Sequence, residues 1–204
     1  MAKVDTSNWI SNNRYCEPLV EYYFQHPAYA NYPVVNISYE GAQLFCTWLT
    51  KKYNSYPKRK FEEVLIRLPT KEEWQKAAIG TLTHVPYPWG GIYIVGECNF
   101  NRIYQASIHY DKVNDKYVLP KPNKHSIGLD KDLSVTCPVD KYKGNSIDIY
   151  NISGNVAEMI QEKGVCCGGG WRSCGYDVRI KSVEKYSRTD IDLGFRYFIE
   201  IIKE

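Results

Sequence analysis

No run of about 18 apolar residues occurs in the 204-residue chain, so no segment has the length of a membrane-spanning helix. The opening MAKVDTSNWI contains no apolar core of a signal peptide. The expectation is a protein made without export, cytoplasmic as given, and periplasmic or at the cell surface if a leader has been trimmed. A basic block is also absent. Lys and Glu are interspersed and the net charge is only +3, too little to argue for a nucleic-acid partner. The seven cysteines (Cys16, Cys46, Cys98, Cys137, Cys166, Cys167 and Cys174) are odd in number and contain no C-x-x-C pair. That count argues against a secreted disulfide framework, and the adjacent Cys166 and Cys167 cannot chelate one tetrahedral zinc from a standard loop. Reduced, mostly buried thiols are expected. The four histidines, His26, His84, His109 and His125, form no i, i+4 pair and read as surface or core residues. There is no internal repeat and no low-complexity segment.

What is present is aromatic. Eighteen Tyr and five Trp, punctuated by Gly, suit a strand- and turn-rich chain that exposes binding faces. The hydrophobic fraction of 44% supports a packed core, and the length fits one domain. YPVVNIS (Tyr32 to Ser38) reads as a short β-branched strand entering a helix capped by Ser38, with Glu40 in its first turn and Ala42, Phe45 and Leu49 on one face beside Trp48. LPTKEEWQKAA reads as a second helix: Pro69 stops what precedes it, Thr70 caps it, and Glu73 completes a T-x-x-E capping box before Trp74, Ala77 and Ala78. After the turn YPWGG, the stretch 92–139 has weak periodicity, and a long irregular segment in a compact domain is either functional or tied down, for instance by an ion. GVCCGGGW, DVRIKSVEKY and LGFRYFIEII read as short strands, the last alternating with period two from Leu193 to Ile202. Two helices followed by an irregular antiparallel sheet predict one α+β domain.

NISGNVAEMI, from Asn151 to Ile160, admits two readings. It is either a tight turn whose amides bond the backbone, or an oxygen-lined cage for a hard cation, which takes six to eight oxygens of mixed type.

Six pieces in order (PVVNISYEGAQLFCTWL, RLPTKEEWQKAA, YPWGG, DIYNISGNVAEM, GGGWRS and LGFR) resemble the motifs of the sulfatase-modifying-factor domain. This is the fold of formylglycine-generating enzymes, an elaborated C-type-lectin-like α+β fold. The resemblance covers 32–197 and implies a domain at 32–204, with 1–31 as an extension packing on it. Residues 5–35 are similar to a subgroup found in gliding-motility and secretion lipoproteins of Bacteroidetes, generally regarded as structural. The strand and helix with which family domains usually begin are not matched, so the expectation is either a trimmed fold or an open sheet edge to which another chain supplies the strand.

The resemblance implies calcium held by the Asn151 side-chain oxygen, the Gly154 and Val156 carbonyls and the Glu158 carboxylate, with a weaker second site at Asn99 and Phe100. The family's enzymes bind copper(I) through two cysteines five residues apart after the glycine turn, since soft thiolates suit Cu(I). Those positions fall on Ser173 and Val178 here. Cys174 is a single thiol out of register, so copper is not expected and no catalytic residue is assigned beyond Cys174 as a weak candidate. The iron-binding histidines of the sulfoxide synthases that share the domain come from a separate helical domain with no counterpart here. The expectation is therefore a non-catalytic, calcium-stabilised, lectin-like binding or structural module within a protein assembly, contacting its partner through Trp171, Arg172 and Tyr176. The alternative is a formylglycine-generating-type oxidoreductase acting on a protein cysteine.

Overall fold

The computed structural model describes residues 4, 6–10, 17–101, 109–111, 113–114, 116–118 and 135–204. Cys16, His125 and most of the central irregular stretch lie outside the described residues. Among the described residues there are three α-helices: α1 (Glu17–Tyr22), α2 (Tyr39–Asn54) and α3 (Lys71–Ile79). Eight short strands accompany them: β1 (Glu63–Arg67), β2 (His109–Asp111), β3 (Lys116–Val118), β4 (Ala157–Met159), β5 (Val165–Cys167), β6 (Val183–Lys185), β7 (Leu193–Phe195) and β8 (Phe198–Lys203). This is the expected mixture of helix and sheet.

Both predicted helices form where their caps place them. Ser38 Oγ accepts the Gly41 amide at 3.0 Å to start α2, which buries Ala42 and Cys46. Thr70 and Glu73 close the capping box on α3, with Thr70 N donating to Glu73 Oε2 at 2.8 Å. Arg67 binds the same carboxylate through two nitrogens at 2.7 Å, tying β1 to the start of α3. That pairing holds the Glu73 carboxyl down at a pKa of about 2.

The sheets depart from the expected pattern in three ways. YPVVNIS forms no strand. Asn36 turns to φ 58° and donates its amide to Asp190 O, while Val34 O lies where a Cβ on Gly194 would sit, at 2.4 Å. The chain here is an irregular strap packed on β7. Second, the alternating run 193–202 is not one strand. It breaks at Arg196, and its halves join different sheets: β7 pairs in parallel with β4, and β8 pairs antiparallel with β1. The four-strand sheet, in the order β6-β5-β4-β7, is therefore mixed rather than antiparallel. Third, DVRIKS is a turn, although it buries Val178 and Ile180.

The core has four buried clusters. One lies under α2 and contains Ala42, Val64, Ile66, Met159, Cys166 and Leu193. Another joins Trp9, Leu19 and Tyr23 of the N-terminal segment to Val35, Val156, Trp171 and Ile191. A third surrounds Trp74, and a fourth forms around Tyr87, Cys98, Phe100 and Val178. Cys166 and Cys167 enter different clusters, as side chains of neighbours on a strand must. All six described cysteines are thiols outside any disulfide, five of them buried.

Candidate functional site

Two turns meet at the centre of the molecule, 151–158 and 168–178. The first leads into β4 and the second leaves β5, and β4 and β5 are neighbours in the sheet. Gly168 has φ 85°, and a Cβ there would sit 2.8 Å from Ile152 O and 3.0 Å from the Trp74 ring. Only glycine lets the two turns approach this closely.

In the 151–158 turn, Asn155 is 2% exposed and acts as a splice. Its Nδ2 donates to Cys137 O at 3.0 Å, and its Oδ1 accepts from Cys137 N at 2.8 Å. Its own amide donates to Asn99 O, and its carbonyl accepts from Trp171 N. Asn151 Nδ2 donates to Pro138 O at 3.0 Å. So far this is the tight-turn reading. The Asn151 Oδ1, however, is buried with no hydrogen-bond partner, and so is the Asn99 Oδ1. These are the two asparagine oxygens that the resemblance assigns to cations. Gly154 takes φ 74°, with Asn99 O 2.5 Å from where its Cβ would be, and Val156 is buried in the Trp171 cluster. Phe100 is likewise buried.

Glu158 is placed differently from the expected cage. Its side chain is 5% exposed and its carboxylate is engaged on both oxygens. Arg196 donates from Nη2 to Oε1 at 2.8 Å and from Nε to both oxygens at 3.1 Å, while Trp74 Nε1 donates to Oε2 at 2.7 Å. Arg196 Nη2 also donates to Tyr150 O. The Glu158 charge raises the pKa of Arg196 against the effect of burial. The donor set thus fits a hard cation through Asn151, but without an uncompensated carboxylate. Arg196 was legible in LGFR as a motif residue, but nothing in the sequence pointed to it as the partner of Glu158.

The 168–178 turn corrects part of the expected partner surface. Trp171 is 3% exposed and belongs to the core, with Nε1 directed at Ile191 O, so it is not a contact residue. Arg172 is half-buried and committed. Its Nε donates to Asp192 Oδ2 at 2.8 Å, and Nη2 reaches both Asp192 and Asp190. Burial alone would lower its pKa, but the two aspartates raise it. Tyr176 is 65% exposed, with the Arg179 guanidinium lying 3.3 Å from its ring centroid.

Ser173 Oγ accepts from Gly170 N at 2.9 Å and donates to Glu184 Oε1 at 3.3 Å. Val178 is fully buried. Cys174 is half-buried and bonds Asp177 Oδ2 at 3.0 Å; burial, then Asp177, raises its pKa. Burial pushes Cys166 and Cys167 up to about 12, so neither is a ready nucleophile at neutral pH. No cluster of three or more His, Cys, Asp or Glu able to hold a metal occurs among the described residues. Arg172, Ser173, Glu184, Asp190 and Asp192 line a cleft of about 280 Å³. Burial, with Asp177 next, raises the Glu184 carboxyl above its usual range.

The sequence profile of the sulfatase-modifying factor enzyme 1-like domain matches residues 4–201. The chain belongs to this family. It is 30% identical to the formylglycine-generating enzyme of Mus musculus over 134 residues, 65% of this chain and 28% of that protein. It is also 30% identical to the inactive C-alpha-formylglycine-generating enzyme 2 of the same organism over 149 residues, 72% of this chain and 35% of that one. The chain spans about a third of these relatives' length. PvdO from Pseudomonas aeruginosa shares the fold, with a TM-score of 0.58, 17% identity, and coverage of 84% of this chain and 63% of that one. The match begins at residue 4 and so includes the N-terminal segment that supplies Trp9 to the core.

Proposed function

We propose that this sulfatase-modifying-factor domain is a non-catalytic binding module within a protein assembly. The observation that carries the reading is that Ser173 and Val178 stand where the resemblance places the copper-binding cysteines. A hydroxyl already bonded to Glu184 and a buried isopropyl group cannot bind Cu(I) as a thiolate pair does. The similarity to relatives named both active and inactive is compatible with loss of chemistry on a retained fold. The partner surface comprises the cleft at Ser173 and Glu184 and the exposed Tyr176. Tyr176 is pre-set by its Arg179 stack, and by Ser182 Oγ and Arg179 Nε, both of which donate to its carbonyl, so it loses little freedom on binding. Titration with Cu(I) under reducing conditions tests the reading. No stoichiometric tight site is expected, and Cys174→Ser should leave partner capture unchanged. Tight one-to-one Cu(I) binding abolished by Cys174→Ser would instead favour the oxidoreductase reading, with a protein cysteine as substrate.

Calcium is the second part of the proposal. The unpartnered Asn151 Oδ1 supports it, with the Gly154 and Val156 carbonyls and Glu158 completing the donor set. Asn99, with its own unpartnered oxygen, and Phe100 form the weaker second set. Because Arg196 offsets the Glu158 charge, affinity belongs to the weak class, roughly 0.1–1 mM. At tenfold excess over the dissociation constant, calcium should stabilise by about 1.4 kcal/mol and raise Tm by roughly 3–6 °C. Asn151→Gly keeps the left-handed backbone and removes the oxygen, so it should abolish this response. A melting curve that calcium and chelator leave unchanged assigns the turn to structure alone.

A further inference from the structure

The two-stranded sheet of β1 and β8 has unequal edges. Along the β1 edge, α2 supplies side chains in place of a strand. Asn54 Oδ1 accepts the Val64 amide at 3.0 Å and Asn54 Nδ2 donates to the Val64 carbonyl at 2.9 Å. Thr50 Oγ1 accepts the Ile66 amide at 2.9 Å. The β8 edge has no such cover among the described residues. Val64 and Ile66 turn their backbone groups away from β8, so their ladder partners Ile201 and Ile199 turn theirs away from β1. Two N–H and two C=O groups therefore face outward along β8.

The side chains on this edge are bare as well. The core under α2 takes in Val64 and Ile66, whereas Ile199, Ile201, Tyr197, Phe45 and Trp48 are each 37–51% exposed. Phe45 packs on both Trp48 and Tyr197, at ring separations of 5.6 and 6.2 Å, which joins them into one shelf between α2 and β8. At about 150–250 Å² per aromatic side chain, the bare apolar surface is roughly 400–500 Å². That is as large as the biggest patch of a typical monomer. It falls well short of the ~800 Å² per partner of a standard interface, which suits a short segment rather than a second copy of this chain.

Charge marks one end of the shelf. Because Asn54 bonds Val64, the C-terminal end of α2 lies at the Ile201 end of β8. Lys51 and Lys52 stand there without an acidic partner among the described residues, and Lys52 Nζ lies 4.9 Å from the Trp48 ring centroid. Lys203, at the same end, is taken by Glu62. Residues 51–60 contain five Lys or Arg and no Asp or Glu.

We propose that the β8 edge accepts an extended segment of a partner protein as an added antiparallel strand. Its apolar residues lie on the shelf and acidic residues at its N-terminal end face Lys51 and Lys52. Main-chain bonds to Ile199 and Ile201 give affinity, and the shelf and the lysines select the sequence. This surface shares no residue with the Ser173–Glu184 cleft.

The test is an NMR titration with the end-blocked heptapeptide Glu-Glu-Val-Thr-Val-Thr-Val, carried to about 1 mM. Saturable shifts are expected at the Ile199 and Ile201 amides and the Trp48 indole. Exchanging the two acidic residues for lysine should weaken binding about fivefold. Methylating the peptide nitrogens that face β8 should abolish it, because their donors are lost. Ile199→Thr with Ile201→Thr should weaken binding about tenfold while Tm holds, since both side chains are exposed. Lys51→Glu with Lys52→Glu should reverse the preference between the acidic and basic peptides. Absence of saturable binding by the acidic peptide overturns the proposal, as does binding indifferent to N-methylation. A dimer in sedimentation velocity that the double Thr variant dissociates gives the edge to a second copy and overturns it equally.

Discussion

Replacing Arg196 with Met is expected to destabilise the protein by about 3–5 kcal/mol, because it leaves the Glu158 carboxylate buried without its counter-charge. For a chain of this size that corresponds to a fall in Tm of roughly 6–20 °C. The Glu158 side chain is 5% exposed, and among the described residues its side-chain partners are Trp74 Nε1 and Arg196. The double variant Glu158→Gln with Arg196→Met should recover most of the loss. The amide oxygen can still accept from Trp74, and the buried charge is gone. Denaturant unfolding with an unchanged m-value measures both effects. A single-variant cost under about 1 kcal/mol would place the pair in the class of solvated surface bridges. Calcium gives the same experiment a second readout. Without Arg196 the freed carboxylate can serve a cation, so the calcium-induced rise in Tm should grow in Arg196→Met.

This pair also marks the limit of what the sequence conveyed. The helices were legible because their signals are local: Ser38, Thr70 and Glu73 act within one turn of where they stand. The glycine turn and the asparagine turn were legible as turns for the same reason. The strands were not. Leu193 to Ile202 alternates as a single strand would, yet the chain redirects at Arg196 to reach Glu158, and no period-two pattern encodes a change of sheet. YPVVNIS has strand composition, but among the described residues its backbone bond to a distant segment is Asn36 N to Asp190 O rather than a ladder. Trp171 carried a residue type common at interfaces, and the structure buries it among Trp9, Val35 and Ile191. Arg172 was expected as a partner contact. The aspartates that hold it lie some twenty residues on, beyond the reach of spacing arguments. Side-chain commitment over such separations is set by tertiary packing, so sequence could name the site's residue types but not which of them were already in use.

Asn155 should be the least replaceable residue of the asparagine turn, and two substitutions separate the reasons. Its side chain forms a two-bond pair with the Cys137 backbone, and its backbone at φ 68° joins Asn99 to Trp171. Asn155→Gly removes only the side chain. The Cys137 amide and carbonyl, buried at 8% exposure, then lose their partners, at about 1–3 kcal/mol each when left unpaired. Asn155→Ala loses the same two bonds and must also hold a Cβ in the left-handed region, which adds roughly 1–2 kcal/mol. The expected order of stability is therefore wild type, then Gly, then Ala, which reverses the ordinary preference for Ala over Gly. Asn155→Asp does not rescue, since a carboxylate accepts from Cys137 N but cannot donate to Cys137 O. Hydrogen exchange at the Cys137 amide should accelerate in the Gly and Ala variants by more than global unfolding accounts for, because the 135–139 strap loses a local anchor. Should Gly prove as costly as Ala, the backbone strain is absent. If neither variant costs as much as about 1 kcal/mol, the strap is held elsewhere, by the Tyr23 hydroxyl at Thr136 and the Val139 amide at Asn31 O.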